Sequence, residues 1–173
     1  MTTNKNMKTK ATVAALICIN LASAFVLRAQ TPMTPYGPPI TLEQAKKIAT
    51  AAQVEARKND WSVVVSVVDS GGNLVLLERM DNTQIGSVDV SQDKAKSAVA
   101  FRRPTKAFQD NVAAGGEGLR TLNLRGSSSI EGGLPLILGG KIIGAVGISG
   151  ATSAQDGQVA AAGVAALRAK PGS

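Results

Sequence analysis

Between Ser62 and Val68 the chain reads Ser-Val-Val-Val-Ser-Val-Val, a β-branched run that puts apolar side chains on both faces of a strand. Such a strand is stable only when both faces are covered. Ser70-Gly71-Gly72-Asn73 follows with turn residues and Leu74 to Arg79 returns as a second strand, so the segment predicts a β-hairpin. A second hairpin is predicted later. Leu134 to Leu138 and Ile142 to Ser149 flank Gly139-Gly140, after a polar turn from Gly126 to Ser129.

Helical patterns surround the hairpins. Thr41 and Gln44 have capping-box spacing, and Leu42, Ala45, Ile48, Ala49, Ala52 and Ala56 fall on one face of a helix that runs to about Asn59. Ser87 is placed to cap a helix carrying Val88, Ala95, Ala98, Val99 and Phe101. Pro104 ends that helix and starts another, which stops at Gly115-Gly116. Ser153 with Asp156 is expected to cap a final alanine-rich helix. The order helix, hairpin, two helices, hairpin, helix predicts an α+β domain, an antiparallel sheet of two hairpins covered by helices, rather than alternating βαβ units.

The N-terminal region has a different character. Lys5, Lys8 and Lys10 precede an apolar run from Ala11 to Leu27, the order of a secretory signal peptide, and small residues at Ala22 and Ala24, or at Ala29, suit cleavage. The expected organisation is a signal peptide over 1–29, a Pro-rich extended linker over 30–40 and a single domain over 41–170. The mature protein is then periplasmic or secreted and not held in a membrane. Cys18 is the sole cysteine and lies in the leader, so the mature domain is expected to have neither thiol nor disulfide.

The formal charge of +7 suggests a nucleic-acid binder, but four of the nineteen cations (Lys5, Lys8, Lys10 and Arg28) precede residue 30. The fifteen others are set against twelve acids and scattered among them, with no aromatic-rich basic stripe, which argues against nucleic acid as a partner. The chain contains no histidine, which excludes Ser-His-Asp triads, histidine-bearing zinc sites and histidine-ligated heme. Neither a phosphate loop nor a Gly-x-Gly-x-x-Gly turn is present: Lys141 of GGKIIG lacks the upstream glycine spacing and the following hydroxyl.

Five segments in order, TLEQAKKIATAAQ, SVVVSVVDSGGNLVLLERMD, DKAKSAVAFRRPTKAF, EGGLPLILGGKIIGAVGISG and TSAQDGQVA, resemble the GlcG/HbpS family and cover most of Thr41 to Ala169. The resemblance implies a profilin-like or PAS-like fold, frequent assembly into homo-oligomers, and heme or another tetrapyrrole as ligand. Some members are linked to heme degradation, and related domains accompany corrinoid-processing proteins, as in the PduO C-terminal domain.

For such a ligand the most suggestive cluster is Phe101-Arg102-Arg103-Pro104-Thr105. An apolar ring could cover a porphyrin face, the guanidinium groups could pair with propionates, and Thr105 could offer an oxygen to iron. The competing structural role has the arginines offset helix-end carbonyls or make subunit salt bridges. Met80 could ligate iron through its thioether or simply fill the core. Tyr36, the sole tyrosine, could supply a phenolate but sits among prolines. Asp89, Asp93 and Lys96 recur at helical spacing and could line a polar cleft or form a solvated face. Glu131 precedes two glycines at a strand start and could move a proton.

Three functions follow: an exported heme-binding protein that sequesters heme or helps degrade it, using a weak non-histidine iron contact; an enzyme acting on a small hydroxy or oxo acid, with Arg102 or Arg103 holding carboxylate and Glu131 or Asp81 moving a proton; or a structural or sensory oligomeric module.

Overall fold

The structure is a computed structural model that describes residues 33–168; the signal peptide predicted over 1–29 lies outside the described residues. In chain order the elements are α1 (Leu42–Lys58), β1 (Val64–Asp69), β2 (Leu74–Arg79), α2 (Ser87–Phe101), α3 (Lys106–Ala114), a 3-10 helix (Gly116–Asn123), β3 (Gly133–Leu138), β4 (Lys141–Ser149) and α4 (Ser153–Arg168). The strands form one antiparallel sheet in the order β2-β1-β4-β3, so the two predicted hairpins lie side by side with β1 and β4 central. The fold is α+β, four strands packed against five helices, as the element order predicts.

Both faces of β1 are covered. Val65 and Val67, with Val146 and Ile148 of β4, join Ile48, Ala49 and Ala52 of α1 and Val159 and Ala160 of α4 in the larger core. Val68 and Ala145 turn the other way, onto Ala95, Ala98 and Val99 of α2.

The α2 face is unusually close to the sheet, and glycine and serine explain why. A Cβ on Gly147 would lie 2.0 Å from the carbonyl oxygen of Ser91, so only glycine admits the helix at this distance. The buried hydroxyls then satisfy one another, Ser66 with Ser91 at 2.7 Å and Ser149 with Ser87 at 3.1 Å. This corrects the expected cap. Ser87 is the first helical residue, not the cap; Gly86 holds that position, with no side-chain cap, because the serine hydroxyl is used by the sheet.

The Thr41–Gln44 capping box forms as predicted. For α4 the box is one residue earlier than expected: the Gln155 amide donates to the Thr152 hydroxyl and Thr152 N–H to the Gln155 side chain. Asp156 is instead buried, for a reason given below. The 3-10 helix was not predicted, because its short apolar spacing matches no helical or strand period. It packs on α3 where Gly118 leaves no room for a Cβ, which would lie 1.9 Å from Asn111 O.

From Pro35 onward the proline-rich stretch is docked against β4 rather than a free linker. Gly37 N–H donates to Ile142 O (2.8 Å), Ile142 N–H to Pro35 O (2.9 Å) and Ile40 N–H to Ile143 O (2.8 Å). Ile40 enters the larger core, so the packed unit begins before Thr41.

Candidate functional site

A cleft of about 580 Å³ opens between α2 and the loop that precedes β3. Val90, Asp93 and Lys96 supply the helix wall, three-residue steps placing them along one side of α2. Leu122 of the 3-10 helix, Ile130 and the hydroxyl-bearing Ser127, Ser128 and Ser129 form the opposite wall. The loop is pinned: Ser128 N–H donates to Ser97 Oγ (2.9 Å), Ser127 Oγ to Leu124 O (2.9 Å), and Glu131 N–H to Gln109 Oε1 (2.9 Å). Leu122 and Ile130 are 62% and 46% exposed, so the cleft presents aliphatic surface to solvent.

Beside this wall, on the buried side of α2, Lys94 Nζ donates to Asp156 Oδ2 (2.7 Å) and to Ile148 O (2.9 Å). Burial pushes the Lys94 pKa down against the pull of Asp156, and burial pushes the Asp156 carboxyl up against the pull of Lys94. Gly132, at φ +127°, covers the pair; a Cβ there would meet Ile148 O at 2.7 Å and Lys94 Nζ at 2.9 Å. Among the described residues no buried side-chain nitrogen or oxygen lacks a hydrogen-bond partner.

The structure disperses the residues singled out in the sequence. Arg102 has a left-handed backbone (φ 54°), and its guanidinium lies 4.3 Å over the Tyr36 ring and donates to Thr34 O (3.4 Å). The Tyr36 hydroxyl donates to Val99 O (2.8 Å), so Tyr36 and Arg102 together fasten the N-terminal stretch to the end of α2. Arg103 is exposed, donates through Nε to Phe101 O (3.2 Å) and lies 5.7 Å from the Phe108 ring, which Phe101 meets edge-on at 5.2 Å. Thr105, considered above as an oxygen for iron, is fully buried with its hydroxyl accepting from Gly133 N–H (2.9 Å).

None of Phe101, Arg102, Arg103 and Thr105 lines the α2 cleft; Lys96 does, with Asp93 but without Asp89. Glu131 stands over α4, where a Cβ on Gly157 would lie 2.4 Å from its Oε1. Met80 packs against the larger core and borders a second cleft, of about 290 Å³, with Gln53, Arg57, Arg79 and Asp81. Asp81 thus lies with Arg57 and Arg79 rather than with the Arg102-Arg103 pair. Val90, Leu122 and Ile130 were missed because an apolar residue at a loop or helix edge reads as core in a sequence. Among the described residues no group of three or more His, Cys, Asp or Glu is placed to hold a metal ion.

The fold and its clefts define a class. The family model described as haem degrading protein HbpS-like matches residues 40–165, and the chain belongs to this family. Protein GlcG of Escherichia coli K12 is 44% identical over 110 residues, 64% of this chain and 81% of GlcG. The crystal structure of Klebsiella pneumoniae protein ORFY superposes with a TM-score of 0.71 at 35% identity, covering 82% of this chain and 99% of ORFY. A PduOC:heme complex superposes with a TM-score of 0.68 at 29% identity, covering 75% of this chain and 96% of PduOC.

Proposed function

We propose that the protein binds heme or a related tetrapyrrole in the α2 cleft, and that it is exported and sequesters heme or assists its breakdown. The observation that carries this is the pairing of aliphatic walls with Lys96 in one cleft of about 580 Å³, in a fold whose relative PduOC was crystallised with heme. That volume lies in the range of about 300–1,000 Å³ typical of small-molecule sites.

The residues present fit the group mainly through burial. Val90, Leu122 and Ile130 offer the apolar surface that a porphyrin covers, worth about 25 cal/mol per Å² removed from water. Lys96 pairs with a propionate carboxylate, and the serine hydroxyls hydrogen-bond it. Since the chain has no histidine and its one cysteine is Cys18, the Asp93 carboxylate is the group of this cleft that would be available to the iron. Heme supplies a redox-active iron when bound. Affinity rests on burial and on Lys96 rather than on a strong axial ligand.

A heme titration of the protein, followed by Soret absorbance and Trp61 quenching with serum albumin as competitor, tests this. The expected result is saturation at one heme per chain, with Lys96→Glu weakening binding by roughly tenfold. Nonsaturable adsorption would sink the proposal. Export rests on the leader and is tested by N-terminal sequencing of protein recovered outside the cytoplasm, with a start near residue 30 expected and an uncleaved cytoplasmic chain refuting it. Exposed Ile85, Leu119 and Leu124 favour a homo-oligomer, measurable by sedimentation; a monomer would refute that part.

A further inference from the structure

We infer that the second cleft, between the end of α1 and the end of β2, is a separate site for a small hydroxy carboxylate, held by Arg57 and Arg79 with Asp81 receiving the hydroxyl. It shares no lining residue with the α2 cleft and does not depend on the heme proposal.

Both guanidiniums are positioned before any ligand arrives. Arg57 sits in the last turn of α1 and donates through Nη2 to Gln53 Oε1 (2.8 Å), while the Gln53 amide is itself held by Glu78 of β2. Arg79 ends β2 and donates through Nη2 to Thr83 O (2.8 Å); Thr83 is buried and anchored by its hydroxyl to Met80 O (2.8 Å). Each guanidinium therefore uses one edge on the protein and keeps its other donors for the cleft. Among the described residues no carboxylate lies within ion-pair distance of either.

Size and charge narrow the ligand. A cleft of about 290 Å³ is at the lower end of small-molecule sites and excludes a tetrapyrrole. Two cations lining one small cleft favour an oxyanion, which a planar guanidinium binds through paired N–H donors. Asp81 repels a second negative charge, which disfavours phosphate, yet it accepts a hydrogen bond from a ligand hydroxyl. Met80 gives a short carbon skeleton an apolar wall.

The test titrates lactate and inorganic phosphate separately into isotope-labelled full-length protein, following the backbone amides of Arg79, Asp81 and Asn82. Lactate is expected to shift these amides saturably and phosphate to act more weakly. Arg57→Ala with Arg79→Ala should weaken lactate by at least about tenfold, since each charged hydrogen bond lost is worth more than a factor of ten at its upper range. Should that variant unfold, Arg57→Lys keeps the charge without the fork and is expected to weaken lactate severalfold with native spectral dispersion. Lactate shifts that persist in either folded variant at wild-type strength, or phosphate acting as strongly as lactate, would overturn the inference. A failed heme titration leaves all these outcomes readable.

Discussion

Lys94 Nζ of α2 and Asp156 Oδ2 of α4 lie 2.7 Å apart with both side chains almost wholly withdrawn from solvent. Because α2 covers one face of the sheet and α4 the other, this contact joins the two helical layers around the end of β4, where Lys94 also takes Ile148 O. Neither charge could be buried there alone. Lys94→Met is expected to destabilise the protein by about 3–5 kcal/mol, because Asp156 is left charged and unpaired, and Asp156→Leu should do the same to Lys94. The double variant Lys94→Met with Asp156→Leu should recover most of that loss. Urea midpoints of the four proteins check it; additive losses in the double variant would show that the two residues do not act as a pair.

The turn between β1 and β2 is organised by Asp69. Burial raises its pKa, but the backbone and side-chain N–H groups of Asn73 and the backbone N–H of Gly71 outweigh this and hold the carboxyl below its ordinary value of 3.8. A depressed folded pKa means that the contribution is fully present above pH 3.8 and is lost as pH falls through the lower folded value. Asp69→Asn should therefore flatten the acid limb of the stability profile below pH 4 and change little of its shape at neutrality. Equal acid slopes in the two proteins would refute the assignment.

The close approach of α2 yields a contrast between two glycines. Gly147→Ala places a Cβ 2.0 Å from Ser91 O and 2.6 Å from Ala95 N, both backbone atoms that cannot swing away. A loss of about 1–3 kcal/mol or more is expected in denaturant unfolding. Gly86→Ala meets nothing within 4 Å, and its φ of −61° suits alanine, so it should be neutral or stabilising by up to about 1 kcal/mol. Comparable losses at both positions would show that the close approach to Ser91 O does not set the cost.

The same contact explains what a sequence reveals here and what it conceals. Both hairpins and all four α-helices were legible, since β-branched runs, Gly-rich turns and apolar helical spacing are local signals. The role of Ser87 was not, because a serine before a helix reads as a cap unless its sheet partner Ser149 is known. The candidate site suffered most. Arg102, Arg103 and Thr105 are consecutive or nearly so, yet one stacks on Tyr36, one lies over Phe108 and one is buried against Gly133. Lys96 and Leu122 reach one cleft only because Ser128 is tied to Ser97, a contact across 31 positions that no local period announces.

The exposure of the cleft walls separates ligand binding from folding. Leu122 and Ile130 are 62% and 46% exposed in the free protein, so part of each side chain is already packed and replacing both by serine should cost about 1–3 kcal/mol of stability, leaving the protein folded. A porphyrin lying against them would cover that surface, and losing it should weaken heme by roughly tenfold or more, given about 1.5–3 kcal/mol for each large aliphatic side chain fully buried. Arg102→Ala is the control. Its guanidinium is engaged with Tyr36 and Thr34, away from the cleft, so heme affinity should stay within about twofold while proteolysis of the 33–40 stretch accelerates. Parallel heme titrations and unfolding curves of the three proteins decide the matter. An affinity loss confined to Arg102→Ala would return the site to the arginine pair and remove the cleft from consideration.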